Sequence, residues 1–302
     1  MDLFIGSHVS YKKDKQLLGC VEETLKYKGN AFMFYTGAPQ NTKRTEINDE
    51  KTLEAYKLMK ENNILLENVI VHAPYIVNLA TNDKEKYNFA INFLREEINR
   101  CEQLGIKYMV LHPGSHVGVG ALIGIQNITH ALDICLDNNP SVMILLETMA
   151  GKGTEVGRDF FEINEIITNC KYKDNLGVCL DTCHIHDAGY DLEKIDSVLD
   201  EFDNIIGLKK LKCVHINDSV NIKGAKKDRH ANIGYGQIGF DNLLKIIYHE
   251  KLDGIPKIIE TPYIAIDDNS KEKIYPPYKE EIKMIRNKQF NDTLMEDIRQ
   301  GG

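Results

Sequence analysis

Six short apolar runs in this chain each end at a residue that can bind a metal ion or transfer a proton. One such residue at the end of a predicted strand would ordinarily be a cap or a turn residue, but six cases along one chain indicate a common site. Because the carboxyl ends of barrel strands meet at one face, we expect the six side chains to converge there. In chain order they are His72, His112, Glu147, Asp181, His215 and Glu260.

Three more metal-capable residues accompany this series. His184 follows Asp181 by three residues, and Asp228 and His230 stand in a predicted loop. In extended backbone, residues i and i+2 project to the same side, so Asp228 and His230 are expected to chelate one ion together, with His184 completing the site. His186 competes with His184 for this role, and the position of His184 directly after the Asp-Thr-Cys turn favours His184.

The nine residues together indicate a metal centre. Imidazole and carboxylate groups suit zinc or another first-row divalent ion better than magnesium. Any one histidine is more often structural than a ligand. Nine such groups at one end of a barrel, however, would repel one another or stay unsatisfied without cations.

Predicted helices alternate with the apolar runs along the whole chain, and the first strands are predicted at 3–8 and 31–35. About eight strand–helix units predict a parallel sheet that closes into a barrel. We therefore expect a single (β/α)8 TIM-barrel domain over residues 1–302, with the metal centre at the C-terminal face of its strands. The predicted helices are 14–28, one capped by Asn48 or Asp49, one from Asn82 or Asp83 to Gly105, one through 128–136, 158–170, 191–202, 240–250 and one after Pro277.

Composition is typical of a globular protein with a large core, since 42% of the residues are hydrophobic and 27% are charged. The formal charge of −8 argues against a nucleic-acid partner at first sight, but three bound Zn²⁺ ions would offset most of it. No apolar segment reaches the roughly 20 residues of a membrane span, and no basic stretch precedes the first strand. We expect a cytoplasmic protein whose seven cysteines, an odd number without a C-x-x-C pair, are reduced and mostly buried.

Several short blocks resemble the signature motifs of the endonuclease IV family of apurinic/apyrimidinic (AP) DNA endonucleases. Their order and spacing are retained over nearly the whole chain, so the resemblance is specific. The blocks are His-Pro-Gly-Ser-His at 112–116, Asp-Thr-Cys-His at 181–184 with Ala-Gly-Tyr-Asp at 188–191, His-Ile-Asn-Asp-Ser at 215–219, Asp-Arg-His at 228–230 with Ile-Gly at 233–234 and Gly236, and Glu-Thr-Pro at 260–262.

The resemblance implies a barrel with a trinuclear zinc centre that cuts the phosphodiester 5′ to an abasic site in double-stranded DNA, leaving 3′-hydroxyl and 5′-deoxyribose phosphate ends. Glu147 and Glu260 are the residues expected to orient or deprotonate the attacking water. Manganese or iron could replace zinc at one position. The implied ligand sets are His72, His112 and Glu147 for one ion, Glu147, Asp181, His215 and Glu260 for a second, and His184, Asp228 and His230 for the third.

Contacts with damaged DNA are predicted on three loops. Tyr75 and Ile76 could form a wedge that kinks the duplex, although packing of Tyr75 against the barrel rim is an equal alternative. Gln40 lies in a loop that could grip the lesion, and Lys226 and Arg229 could contact phosphates. A monomer is expected, because a face large enough for DNA must stay free.

Two histidines outside the ligand set are predicted to support it. His8 and His116 lie at the predicted C-terminal face and could hold ligands or phosphate. His130 and His249 are predicted within helices, without a role.

Two other functions compete with the nuclease. A sugar isomerase or epimerase of the same barrel type shares a Glu, Asp, His, Glu set similar to Glu147, Asp181, His215 and Glu260. Such an enzyme has no evident need for the five remaining metal-capable residues. A catalytically silent DNA-binding protein would be expected to have lost some of the nine, and all are present.

Overall fold

Residues 3–301 are described by a computed structural model of the chain, and eight parallel strands form a closed barrel at its centre. The barrel strands are β1 (Ile5–His8), β2 (Ala31–Phe34), β3 (Val69–His72), β4 (Tyr108–Leu111), β5 (Met143–Glu147), β6 (Leu176–Asp181), β7 (Leu211–Ile216) and β10 (Lys257–Ile259). Their order around the barrel is β1-β10-β7-β6-β5-β4-β3-β2, so barrel strands that follow one another along the chain are neighbours in space. This confirms the predicted TIM-barrel fold.

Two small hairpins stand outside the barrel. The first pairs β8 (Asp218–Ser219) with β9 (His230–Ala231), and the second pairs β11 (Ile264–Ala265) with β12 (Lys273–Tyr275). The hairpin of β8 and β9 follows β7 directly, so it lies at the C-terminal end of the barrel. It was not predicted, since two-residue strands carry no periodicity.

Most predicted helices are present, with shifted ends. Asn48, Asp83 and Asp159 each cap a helix by accepting backbone N–H groups of its first turn. The helices are α1 (Gln16–Lys26), α2 (Asp49–Glu61), α3 (Lys84–Gln103), α4 (Ala121–Cys135), α5 (Phe160–Asn169), α6 (Thr182–Ala188), α7 (Ile195–Ile205), α8 (Phe240–Ile247), α9 (Tyr278–Asn287) and α10 (Leu294–Gly301).

Two helix predictions need correction, and two helices were missed. The helix expected over 191–202 is a short 3₁₀ turn followed by α7, which extends to Ile205. The helix expected over 240–250 ends at Ile247, and His249 instead caps a 3₁₀ turn by accepting the N–H of Lys251. Helices α6 and α10 were not predicted, because at 7 and 8 residues they are too short to show a clear helical period.

The barrel interior is filled by side chains that alternate with outward-facing ones along each strand. Small and medium apolar residues form this inner cluster, and a much larger cluster lies between the barrel and its helices. The interior is therefore a packed core that closes the lower part of the barrel. The inner residues are Ala31, Met33, Ile70, Val110, Leu145, Cys179, Cys213 and Ile258.

The period of two along a strand determines which side chains line the upper end of the barrel. His72 follows the inner residue Ile70 by two positions, and Glu147 follows Leu145 in the same way. The same spacing relates His112, Asp181, His215 and Glu260 to inner residues of their own strands. All six strand-end groups thus point into the barrel. Among residues 3–301, no helix is both long and apolar enough to cross a membrane.

We expect Leu145→Ala to lower the free energy of unfolding by about 2–5 kcal/mol, because Leu145 is fully buried and its loss leaves a cavity beneath Glu147. Chemical denaturation measures the change. Leu53→Ala is the control, since Leu53 is 66% exposed and should change stability by less than about 0.5 kcal/mol. Equal effects of the two substitutions would contradict the inner-core assignment.

Candidate metal centre

Glu147 lies at the centre of the polar layer that caps the barrel. Its side chain is buried, and Oε2 lies 3.2 Å from Nε2 of His72 and 3.1 Å from Nε2 of His112. One ligand atom from each of these three residues falls within 4.8 Å of the other two, a spacing that one metal ion can span. The first predicted set is therefore brought together.

The second predicted set surrounds the other oxygen of Glu147. His215 Nδ1 lies 3.1 Å from Glu147 Oε1, 2.9 Å from Glu260 Oε2 and 3.7 Å from Asp181 Oδ2. Ligand atoms of these four residues also lie within 4.8 Å of one another. Because Glu147 belongs to both sets, its two oxygens could bridge two ions.

The third predicted set is less compact. Asp228 Oδ1 lies 3.1 Å from His184 Nε2 and 3.6 Å from His230 Nε2. The closest groupings of candidate ligand atoms place His230 with Asp181 and His184, and separately with Cys183 and Asp228. The set is thus present as two overlapping groups that share His230.

The extended backbone that was predicted for Asp228 and His230 is wrong in part. His230 is in a strand, but Asp228 has φ +56°, which is the left-handed region and not the extended conformation. Alternation along a strand therefore does not bring Asp228 and His230 together. The hairpin and the loop before β9 do so instead.

Several histidine rings are oriented so that one nitrogen is free for a cation. The Nδ1 atoms of His72, His184 and His230 lie 2.7, 2.8 and 3.2 Å from backbone carbonyl oxygens, which fixes the proton on Nδ1. In the neutral form of these rings, Nε2 then carries the lone pair that a cation among the carboxylates would bind. The Nε2 of His230 is buried without a hydrogen-bond partner within residues 3–301, as expected of a metal ligand. The donor set therefore fits a metal centre.

The electrostatics of the layer require positive charge. Burial alone would raise the pKa of Glu147, but His112 and His215 outweigh it and hold that pKa well below its usual range. Burial would likewise lower the pKa of His184, whereas Asp181, Asp228 and Glu147 raise it well above 6.5. Carboxylates packed this closely are stable only beside cationic groups.

Neighbouring polar residues fix the ligands in place. Asn217 donates a 2.7 Å hydrogen bond to Asp181 Oδ2, and its side-chain carbonyl oxygen accepts the N–H of Glu260. The other oxygen of Asp181 accepts the N–H of His184, so Asp181 caps α6 while it faces the centre. Thr148 accepts the N–H of Asp181 through its hydroxyl group. Neither residue was predicted to support the ligands, although Asn217 belongs to the motif at 215–219 and Thr148 directly follows Glu147.

Two residues at the barrel mouth complete the polar layer. The ring of His8 lies 4.7 Å from that of Tyr35, which in turn lies 5.2 Å from that of His72. Burial and the neighbouring histidines lower the pKa of His8 to about 4, although Glu260 opposes them, so its ring is neutral. Tyr35 was missed; its position two residues after the inner Met33 is the signal that could have found it.

His116 and His186 lie outside the nine-residue set. The Nδ1 atom of His116 accepts N–H groups of Gly118 and Gly120, so this histidine shapes its own loop. The Nε2 atom of His186 lies 3.1 Å from the carbonyl oxygen of Asn221, which engages it away from the centre. The preference for His184 over His186 agrees with this geometry.

The predicted DNA contacts lie on loops at the C-terminal face. Tyr75 is 57% exposed, which is contrary to tight packing against the rim, while Ile76 is half-buried against the core. Gln40, Lys226 and Arg229 are exposed. All five are accessible in part to a ligand at this face, and their contact with DNA remains a prediction.

A buried glutamate on α9 connects the segments that carry two of the predicted ligands. Glu281 accepts a hydrogen bond from the Thr261 hydroxyl, next to Glu260, and others from Asn232 Nδ2 and the N–H of Ile233, just after β9. Burial raises the pKa of Glu281 to about 7. Through Glu281, α9 therefore holds these two segments together at the upper end of the barrel.

The fold and the site together define a xylose isomerase-like TIM barrel with a candidate metal centre. The model of that family matches residues 21–288. Epimerases share the barrel: a D-tagatose 3-epimerase-like protein superposes with a TM-score of 0.65 at 19% identity, over 98% of this chain and 99% of that one. This likeness concerns the fold alone.

Closer relatives identify the family. "Probable endonuclease 4" of Bacillus subtilis (strain 168) is 51% identical over 300 residues, which is 99% of each chain, and that of Geobacillus kaustophilus (strain HTA426) is 51% identical over 302 residues, again 99% of each. The crystal structure of endonuclease IV from Thermus thermophilus superposes with a TM-score of 0.77 at 27% identity, covering 97% of this chain and 99% of that one. The chain belongs to the endonuclease IV family of AP endonucleases, which are DNA repair hydrolases.

We expect the stability of the metal-free protein to fall as pH rises from about 4.5 to 7, owing to Glu281. Because its pKa is raised to about 7 in the folded state, the folded chain holds a proton that the unfolded chain releases above pH 4.5. Glu281→Gln should therefore become more stable relative to the wild type by about 3 kcal/mol over that range. Denaturation at several pH values tests this, with Glu280→Gln on the same helix as the control. Parallel pH curves for Glu281→Gln and the wild type would contradict the assignment.

Proposed function

We propose that this chain is a zinc-dependent AP endonuclease that hydrolyses the phosphodiester 5′ to abasic sites in duplex DNA, leaving 3′-hydroxyl and 5′-deoxyribose phosphate ends. The observation that carries the proposal is the convergence of all nine metal-capable residues at one barrel mouth. Family membership supports the same activity.

The proposed centre takes three Zn²⁺ ions, with Mn²⁺ or Fe²⁺ possible at one position. Glu147 would bridge the first two sites. The proposed ligands are His72, His112 and Glu147 for the first, Glu147, Asp181, His215 and Glu260 for the second, and His184, Asp228 and His230 for the third.

Bound metal ions supply Lewis-acid polarisation of the phosphodiester and bring the pKa of water near neutrality. The chain's own residues orient the reaction. Glu260 is the proposed proton acceptor, because its side chain, 16% exposed, is the most accessible carboxylate of the second set. Glu147 is buried between four imidazole rings. It is therefore better placed to orient the attacking water than to exchange protons with solvent. The carbonyl-bound rings of His72 and His184 need no reorientation during the reaction.

DNA would approach the C-terminal face. An abasic nucleotide has no base to unstack, so its extrusion costs less than that of a normal nucleotide, and this difference selects the lesion. Tyr75 is the proposed wedge, anchored by the half-buried Ile76, and Gln40 is proposed to contact the lesion strand. Lys226 and Arg229 are proposed to contact phosphates, since both are accessible on the loop before β9.

The sugar isomerase alternative explains less of the site. It would use Glu147, Asp181, His215 and Glu260 and leave the other five metal-capable groups without a function. We propose a monomer over the whole of 1–302, located with DNA in the cytoplasm.

The central experiment is incision of a duplex with one tetrahydrofuran abasic analogue, without added magnesium. We expect a cut 5′ to the analogue and about three metal ions per chain by elemental analysis. Glu260→Gln should reduce the incision rate by about 10²–10⁴-fold, because it removes the proposed proton acceptor. Treatment with a chelator should abolish incision.

Glu102→Gln is the matched control. Glu102 lies at the end of α3, before the start of β4 and so at the opposite end of the barrel, and this variant should cut like the wild type. No incision by a chain that holds only one or two metal ions would favour the sugar isomerase. No incision by a chain with three would reject the proposed substrate.

We also expect Lys226→Ala combined with Lys227→Ala to weaken DNA binding and reduce its salt dependence. Each phosphate contact releases counterions, so losing two contacts should reduce the slope of log K against log salt by about 2. Lys209→Ala combined with Lys212→Ala serves as the control, because these lysines stand at the start of β7 on the opposite face. Equal slopes for the wild type and the first variant would reject phosphate contact by this loop.

A further inference from the structure

Asp187 is a buried carboxylate at the C-terminal end of α6 and has no part in the nine-residue set. Its side chain is fully buried. Oδ1 accepts a 2.6 Å hydrogen bond from the Ser219 hydroxyl, and Oδ2 accepts bonds of 2.8 Å from Asn221 Nδ2 and 2.9 Å from the N–H of Asp228. Three donors from one loop region thus neutralise a charge that would otherwise be costly to bury.

The loop that Asp187 contacts carries Asp228 and leads directly into His230 of β9, the two proposed ligands that complete the third set with His184. Residues 220–229 connect β8 to β9, and the loop ends are joined by a 3.0 Å hydrogen bond from the N–H of Val220 to the carbonyl oxygen of Arg229. Lys226 and Asp228 have φ +55° and +56°, a left-handed conformation that residues with a side chain seldom adopt. Such a backbone persists only where its surroundings fix it, and Asp187 bonds directly to the N–H of Asp228.

Other bonds from α6 reinforce this attachment. The carbonyl oxygen of Asp187 accepts the N–H of Lys226 at 2.9 Å, and that of His186 accepts the N–H of Gly224 at 3.0 Å. His184 stands three residues before Asp187 on the same short helix, and its Nε2 lies 3.1 Å from Asp228. The first turn of α6 therefore presents the proposed ligand His184, while its last turn holds the loop that supplies Asp228 and leads into His230.

We propose that Asp187 is a positioning residue that sets the distance between His184 and the Asp228–His230 loop, and thereby the affinity of the third metal site. This inference rests on the three-metal centre of the proposed function. The chemistry concerned is binding of a divalent cation by one carboxylate and two imidazoles. Asp187 acts on it only through the backbone and side chains of the loop.

The test compares Asp187→Ala with Asp187→Asn and the wild type. Asp187→Ala removes all three side-chain bonds and should release one zinc ion per chain to a chromophoric chelator about 10–100-fold faster, the usual effect of removing a group that supports ligands. Asp187→Asn should restore most of the retention, because its oxygen can still accept from Asn221 and Asp228 while its amide donates to Ser219. If Asp187→Ala does not fold, Asn221→Ala takes its place. This variant removes only one of the three bonds and should also release that zinc ion faster than the wild type.

A second measurement does not depend on metal or on activity. Hydrogen–deuterium exchange of the metal-free protein should become faster in residues 220–229 of Asp187→Ala and stay unchanged in the barrel strands. Asp133→Ala is the control: Asp133 accepts the N–H of Lys171 at 2.7 Å on the outer layer, so its loss should leave both readouts unchanged.

The outcomes separate this inference from the proposed function. Three metals in the wild type, with equal release and equal exchange in Asp187→Ala, would overturn the role of Asp187 alone. A wild-type chain that never retains a third metal would reject the three-metal centre, and the inference with it. Faster release of one ion with faster exchange in the loop is the expected result.

Discussion

The burial of negative charge at the upper end of the barrel is the constraint on which the site depends. Glu147 sits on the inner face with four imidazole rings within 3.1–3.3 Å of its oxygens, and Asp181 is buried beside it. Carboxylates removed from water in this way require cations and fixed hydrogen-bond donors. The geometry of the rings, the supporting role of Asn217 and the fit to metal ions all follow from this requirement.

The barrel and the loops contribute differently to the centre. Four of the nine residues lie in barrel strands and two more directly follow a strand, so their positions have little freedom and the first two sets are compact. The third set depends on a short helix and on a loop with left-handed residues, and its ligand atoms form two overlapping groups. The position of Asp228 is therefore decided by the loop and by its bonds to α6, and not by the barrel strands.

The same barrel occurs in epimerases, and the likeness at 19% identity shows how little the fold alone restricts function. In this chain His72, His112 and the third set stand around the four-residue group of Glu147, Asp181, His215 and Glu260. These surrounding residues lie at the strand ends and on loops, where side chains can change without disturbing the packed interior.

The sequence by itself determined the eight barrel strands, most of the helices and the identity of the strand-end residues, because alternation along a strand and repetition of the strand–helix unit are local patterns. It also identified the family, through motifs that depend on residue type and order. Only the tertiary structure decided the conformation of Asp228 and the hydrogen bonds of Asp187, because these depend on contacts between segments about 30 to 40 residues apart. Tyr35 illustrates both contributions. The strand period places it on the inner side of the barrel, but only the closed barrel brings its ring near that of His72. Local periodicity fixes which side of a strand a residue faces, whereas partners across the barrel mouth are fixed by closure, which no local pattern encodes.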